Sequence, residues 1–158
     1  MIELRPALPL DIDALWALRT LAVRISCATH YSSEQIAVWS ASPVPAGYAG
    51  LLAAGGGIVA VHDGGIAGYA MLDLDKHEVD AVFVHPAQGG LGIGKRLLAA
   101  LESLAREHGM ARLHFSASMN AVPFYQAAGF MALREEAYAH PSGLMLASMA
   151  MEKILPIN

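Results

Sequence analysis

The sequence has little charge, almost no cysteine and no long apolar run, and each shortage excludes a class of protein. Among 158 residues Cys27 is the single cysteine, which excludes an internal disulfide framework and favours a reducing compartment. The longest apolar stretch, residues 51–61, is interrupted by three glycines and is too short to span a bilayer, so no membrane partner is expected. The first residues lack the pattern of a secretory leader, so we expect a cytoplasmic protein.

The charge that is present is sparse and mostly negative. Charged residues make up 15% of the chain and the net charge is −4, without a cluster of Lys or Arg, which argues against a nucleic-acid partner. A hydrophobic share of 55% with so few charges favours a surface partly covered by a second copy, and hence a homodimer. The histidines lack metal-ligand spacing, so no metal is predicted. The length suits one domain, residues 1–158.

Apolar periodicity and turn residues predict an α/β protein (an α+β mixed sheet) with helices on the faces of its sheet. Asp11 is the predicted N-cap of the first helix, and Ser32 with Gln35 forms a capping-box signature for the second. The predicted strands are residues 2–5, 58–62, 66–72, 77–84, 112–116, 130–139 and 144–154, and the predicted helices are residues 12–28, 33–39, 46–54, 95–108 and 120–128.

One stretch, residues 82–98, combines an apolar strand, a proline stop, a run of glycines and the start of a helix. Glycine allows positive φ and a close approach of the backbone to a ligand. A helix N-terminus presents free N–H groups and the positive end of its dipole. The stretch therefore predicts a cradle for an anion, most often a phosphate, with a ligand-free glycine-rich turn as the alternative.

Two nucleotide-binding motifs come close to this stretch and fail. Gly89, Gly94 and Lys95 fit the phosphate-loop pattern GxxxxGK, but Arg96 stands where a Ser or Thr must help to hold Mg²⁺. The dinucleotide pattern GxGxxG fails because Lys95 stands where its third glycine is needed. Arg96 therefore argues against a nucleotide hydrolase.

A second motif lies downstream of the cradle, and the two motifs together resemble those of a known family. Residues 120–130 look like the N-A-x-x-F-Y-x-x-x-G-F helix of the GNAT superfamily of N-acetyltransferases. That family's signature Q/R-x-x-G-x-G/A aligns on Gly89, Gly92 and Gly94, and residues 151–155 are similar to its last strand. The chain thus resembles this superfamily over its whole length. The resemblance implies a central mixed, mostly antiparallel sheet with helices on both faces.

The resemblance also implies acetyl-CoA as co-substrate and a role for each matched residue. Backbone N–H groups of the cradle would hold the pyrophosphate, the backbones of Phe83 and Val84 would pair with the pantetheine arm, and Asn120 would contact the same arm. Tyr125 would protonate the departing CoA thiolate. The cofactor-binding loop would consist of Gly89, Gly90, Leu91, Gly92, Ile93, Gly94 and Lys95.

The sequence departs from the family pattern at two positions. Gly89 replaces the usual Gln or Arg, with Gln88 one residue early, so the cradle must rely on backbone groups. Ser116 stands on the strand before the second motif, where many relatives carry an acid, so a carboxylate base is missing there.

The remaining candidates concern the base and the acceptor. An ammonium must lose a proton before it attacks a thioester, and Glu78 and Asp80, two residues apart on one strand, are predicted on one face beside the thioester. A solvent-facing pair is the alternative. His30, Tyr31 and His140 lie in breaks of the pattern and are candidates for the acceptor pocket, with capping, surface or turn roles as the alternative for the two histidines.

These motifs and candidate residues are consistent with two functional hypotheses. The first is an N-acetyltransferase that moves an acetyl group from acetyl-CoA to the primary amine of a small molecule or peptide, by direct attack in a ternary complex. The alternative is a non-catalytic acyl-CoA-binding or sensing module, which needs the cradle but not the proton donor Tyr125.

Overall fold

The computed structural model describes residues 1–156, which form seven strands and five helices joined by short 3₁₀ turns. The strands are β1 (Ile2–Pro6), β2 (Gly57–His62), β3 (Gly65–Asp73), β4 (Glu78–Val84), β5 (Arg112–Ser118), β6 (Met131–Ala139) and β7 (Met145–Ile154). The helices are α1 (Ile12–Ser26), α2 (Ser33–Ser40), α3 (Tyr48–Ala53), α4 (Ile93–Glu107) and α5 (Val122–Ala127).

All strands belong to one sheet in the order β1-β2-β3-β4-β5-β7-β6. Every neighbouring pair is antiparallel except β4 and β5, which run parallel. The β2–β3 hairpin turns through Asp63 and Gly64, both at positive φ, which suits the twist of the flanking strands. The predicted mixed, mostly antiparallel sheet is confirmed.

Helices cover both faces of the sheet. On one face α4 buries Leu97, Leu98 and Leu101, and α5 adds Tyr125 to the same apolar core. On the other face α1 and α3 pack on the sheet through Leu15, Leu18, Tyr48 and Leu52. None of the helices within residues 1–156 has the length and apolar character needed to cross a membrane.

The sheet opens between its two parallel strands. Glu78 opposite His114 is the one β4–β5 pair in the described chain, whereas the other edge of β5 pairs with β7 from Arg112 to Ser118. The β4 edge beyond Glu78 and the facing β5 edge therefore keep backbone groups free for another partner.

A bulge bends β4 where the opening begins. Met71 opposes Ala81 and Leu72 opposes Val79, which leaves Asp80 as the extra residue on β4. A bulge increases the local twist and re-aims side chains. Val79 accordingly joins the core on the α4 face, while Ala81, two residues later, joins the core on the α1 face.

The ends of the first two helices differ from each other in how they are capped. The capping box at α2 is confirmed, because Ser32 Oγ accepts from Gln35 N–H (3.1 Å) and Gln35 Oε1 accepts from Ser32 N–H (2.9 Å). Asp11 is the N-cap residue of α1, as predicted, but its side chain makes no cap hydrogen bond to that helix. Its buried carboxylate instead accepts two hydrogen bonds from Arg5, which lowers the pKa of Asp11.

Candidate active site

A cleft occupies the opening between β4 and β5. It has a volume of about 350 Å³, and its floor and sides are formed by the facing strands and by the end of α5. Residues of α1, α2 and β7 close it from the other side. Its lining includes Trp16, Arg19, Tyr31, Trp39, Tyr48, Asp80, Phe83, Ser116, Tyr125 and Tyr138.

The glycine loop leads from the end of β4 into α4. Gly90 and Gly92 have φ values of +80° and +76°, a region that favours glycine, and Gly92 is the N-cap of α4. The first bond into the helix is from Arg96 N–H to Gly92 O (3.1 Å). Within residues 1–156 no backbone N–H group from Gly89 through Lys95 donates to a protein acceptor. A row of free donors at a helix start is suited to an anion.

The side chains next to the loop are engaged elsewhere. Arg96 donates to Ile2 O (2.9 Å), and Gln88 Oε1 lies 2.9 Å from His62 Nδ1. The loop can therefore bind an anion through its backbone N–H groups, as predicted from Gly89 in place of the usual Gln or Arg. In the phosphate-loop pattern this position holds a Ser or Thr that helps to bind Mg²⁺. Here the side chain of Arg96 is bonded to β1 instead.

The two sequence motifs meet at Gly94. A Cβ at this position would lie 3.2 Å from two ring atoms of Phe124, so the absence of a side chain lets α5 pack closely on the first turn of α4. The predicted helix over residues 120–128 is in fact a 3₁₀ turn, Met119–Ala121, followed by α5. Asn120 lies in that turn, and its Oδ1 is buried without a hydrogen-bond partner within the described chain. A buried acceptor without a donor is suited to a ligand amide.

Tyr125 lies at one end of the cleft. Its ring packs against Phe115, Phe124 and Phe130, with centroid separations of 4.2, 5.0 and 5.7 Å. Burial raises the pKa of its phenol, so the hydroxyl carries its proton throughout the neutral range. No hydrogen bond from this hydroxyl to another group of residues 1–156 is present. The hydroxyl is thus a free proton donor at the cleft.

The structure separates the two candidate carboxylates. Asp80 lines the cleft, where water still reaches its side chain. Its pKa is raised, mainly by burial and next by the neighbouring carboxylate of Glu78. Glu78 lines a different cavity, where its Oε2 lies 3.9 Å from His114 Nδ1. Only Asp80 lines the cleft, so the structure favours Asp80 over Glu78 as the candidate base.

The acceptor candidates also fall in different places. Tyr31 lines the cleft, whereas exposed His30 bonds to Thr29 and lies outside the lining. His140 lies outside the lining too: its Nε2 is 2.7 Å from Ser42 Oγ and its Nδ1 is 2.9 Å from Ser142 Oγ. His140 therefore ties the β6–β7 turn to the segment after α2.

The hydroxyl of Tyr31 holds the cover of the cleft to the sheet. It donates to Ala147 O (2.5 Å) on β7 and accepts from Met119 N–H (3.0 Å). Tyr31→Phe removes both bonds and leaves two backbone groups unpaired, so we expect a loss of about 1–3 kcal/mol in the free energy of unfolding, measured by urea denaturation. Tyr138→Phe, which removes an exposed hydroxyl, is the control and should cost less than about 0.5 kcal/mol. Equal losses in the two variants would contradict this role.

Sequence reasoning missed Arg19 and Tyr48. Arg19 lines the cleft and is buried, on the face of α1 that also buries Leu15 and Val23. A charged residue at helical spacing from buried apolar residues was the available signal. Cys27 is buried, and burial raises the pKa of its thiol to about 11, so it is protonated at neutral pH.

Comparison with known proteins agrees with this architecture. Residues 27–153 match the family described as acetyltransferase (GNAT) domain. The chain is 28% identical over 135 residues to the uncharacterized N-acetyltransferase YafP of Escherichia coli (strain K12), with 85% of each chain covered. The crystal structure of a GCN5-related N-acetyltransferase from Rhodopseudomonas palustris is 31% identical, with a TM-score of 0.83 over 97% of this chain and 95% of that one. The putative acetyltransferase yncA from Salmonella typhimurium, solved with acetyl-CoA, shares the fold at 23% identity, with a TM-score of 0.70 over 100% and 96% of the two chains.

Proposed function

The chain belongs to the GNAT acetyltransferase family, and we propose on this premise that it transfers an acetyl group from acetyl-CoA to a primary amine. Transfer is direct, within a ternary complex, with no acyl group carried by the protein. The observation that carries the proposal is the free edge of β4, which joins a loop of unpaired N–H groups to a cleft with a proton donor and a carboxylate.

The chain offers groups that match each part of acetyl-CoA. The N–H groups from Leu91 through Lys95 are suited to its pyrophosphate, and the β4 edge at Phe83 and Val84, which β5 leaves open, is suited to the amides of its pantetheine arm. Asn120 supplies a buried acceptor for one further N–H group. The fold relative from Salmonella typhimurium holds acetyl-CoA, which supports the same co-substrate here. Acetyl-CoA supplies an activated thioester.

Two side chains then move the protons. Asp80 accepts a proton from the ammonium of the acceptor, directly or through water, and its raised pKa makes it a better base than an ordinary aspartate. The amine nitrogen bonds to the acetyl carbon as the carbon–sulfur bond breaks. Tyr125 donates its hydroxyl proton to the departing sulfur, and the second proton that the nitrogen loses on becoming an amide restores the phenol of Tyr125. Cys27, buried and protonated, takes no part.

A thiol-release assay tests this proposal. The full chain is incubated with acetyl-CoA and single amines from a panel of amino acids, their decarboxylated analogues, polyamines and short peptides. We expect release of free CoA that depends on both the protein and one class of amine, with an equal amount of N-acetylated product. Tight binding of acetyl-CoA without release for any amine would support the acyl-CoA-sensing alternative instead.

The cradle can be tested without turnover. Acetyl-CoA at about 100 times its Kd should raise the melting temperature by roughly 5–10 °C. Leu91 is half-exposed in the loop, so Leu91→Glu adds a negative charge beside the proposed pyrophosphate site without a packing change. We expect Leu91→Glu to weaken acetyl-CoA binding about fivefold in calorimetry, and the uncharged control Leu91→Gln to weaken it less than twofold. Identical affinities for the two variants would contradict the location of the pyrophosphate.

A further inference from the structure

The roof of the cleft contains a buried positive charge, the guanidinium of Arg19. The residue is 4% exposed and lies within 4 Å of no carboxylate oxygen in residues 1–156. Its Nη2 donates to Trp39 O (2.9 Å) and its Nη1 to Ser40 O (3.5 Å), and its Cζ lies 4.2 Å from the centroid of the Trp16 ring. Two backbone carbonyls and one aromatic face are thus its only close partners among these residues.

Such a site has unused capacity for an anion. A guanidinium has five N–H donors in a planar fork that matches a carboxylate, and the two carbonyls leave several of them free. A buried cation is costly unless a counter-charge compensates it. Desolvation accordingly lowers the pKa of Arg19. A ligand carboxylate in the cleft would supply the missing charge.

The opposite charge lies across the same cleft. Asp80 lines the β4 wall, and the hydroxyls of Tyr48 and Tyr69, 2.9 Å apart, lie within the electrostatic reach of both Asp80 and Arg19. Burial raises the pKa of Tyr48 to about 12; Asp80 adds to that rise and Arg19 opposes it. The carboxylate and the guanidinium thus line one cleft, together with the aromatic residues Trp16, Trp39 and Tyr138.

We propose that the acceptor is a free amino acid with an apolar or aromatic side chain, bound with its carboxylate on Arg19 and its amine toward Asp80. This proposal rests on the proposed acetyl transfer and narrows its acceptor. It disfavours peptide amines, because an N-terminal residue has an amide where the free amino acid has its carboxylate. A cleft of about 350 Å³ has room for a molecule of this size.

Matched acceptors test the proposal with the wild-type protein. Phenylalanine is compared with phenethylamine and with phenylalanine amide, and leucine with isoamylamine, by thiol release from acetyl-CoA. We expect kcat/KM to be at least about 30-fold higher for each amino acid than for its partner without the carboxylate, mainly through KM. Equal or better use of the amines would overturn the proposal while leaving acetyl transfer intact. If no acceptor of any class supports the release of CoA, both the amino-acid acceptor and the proposed acetyl transfer are overturned.

Variants of Arg19 test the residue itself. Arg19→Gln should reduce the preference for phenylalanine over phenethylamine from about 30-fold to about threefold or less, and Arg19→Lys should retain part of it. The shift of melting temperature with CoA shows whether each variant is folded. As a readout apart from turnover, phenylalanine should raise the melting temperature of the CoA-loaded wild type and not of Arg19→Gln. An unchanged preference in folded Arg19→Gln would overturn the role of Arg19.

Discussion

Tyr125→Phe should lower kcat about 100-fold while the Kd for acetyl-CoA changes less than twofold. The phenyl ring keeps its packing against Phe115, Phe124 and Phe130, and only the hydroxyl is lost. Since that hydroxyl is bonded to no other group of residues 1–156, the variant should also be as stable as the wild type. Steady-state thiol release, calorimetry and thermal unfolding measure the three quantities.

This combination separates a proton donor from a packing residue. A packing residue would change stability and acetyl-CoA affinity together with the rate. Because burial raises the pKa of Tyr125, the wild-type kcat should also lack a falling limb from this group anywhere in the neutral range. Unchanged kcat in the folded variant would remove the role of Tyr125 and favour an acyl-CoA-binding module.

Asp80→Asn should lower kcat at neutral pH by about 100-fold, because the amide cannot accept the proton of the acceptor's ammonium. In the wild type, kcat/KM for the acceptor should fall as the pH drops through the raised pKa of Asp80, above the range of an ordinary aspartate. The variant should lack that acidic limb. The value of kcat at neutral pH measures the first effect, and a pH profile of kcat/KM for the acceptor measures the second.

The same variant should change stability in the opposite direction. The folded protein raises the pKa of Asp80 above its unfolded value, so ionisation of this carboxyl opposes folding once the pH exceeds the unfolded pKa. Asp80→Asn should therefore melt at a higher temperature than the wild type at neutral pH. The difference should vanish as the pH falls below both pKa values.

Glu78→Gln is the matched control for Asp80. It removes a carboxylate two residues away, in a different cavity, and with it one of the charges that raise the pKa of Asp80. We expect kcat at neutral pH to stay within about threefold of the wild type and the acidic limb to move to lower pH. A loss as large as that of Asp80→Asn would make Glu78 the base.

Local signals in the sequence predicted most of the fold. The Asp63-Gly64 turn, the Ser32–Gln35 capping box and the apolar stripe of α4 depend on residues close together in the chain, and all three are present. Asp11 occupies the predicted N-cap position, but its carboxylate bonds to Arg5 on the preceding strand, a partner that no local pattern reveals. Periodicity and turn residues predicted the order of the elements, and the resemblance to a family added that the strands form one mostly antiparallel sheet.

The site was less predictable because it depends on tertiary contacts. The free N–H groups of the glycine loop were foreseen, since loop and helix start are contiguous in the chain. Asp80 lines the cleft and Glu78 does not, because β5 pairs with β4 at Glu78 and leaves the β4 edge open beyond it, which no pattern within β4 reveals. Arg19 reaches the cleft only because α2 folds back over α1 and offers it two carbonyls.

The path of the acetyl group itself tests the proposed activity most directly. Acetyl-CoA labelled with a heavy isotope in its acetyl group is incubated with the full chain and an active acceptor, and the products are analysed by mass spectrometry and NMR. We predict that the label appears as an amide on the acceptor nitrogen, in an amount equal to the CoA released, and never on the protein. Label recovered as free acetate, or retained on the protein as an acyl group, would contradict direct transfer to an amine.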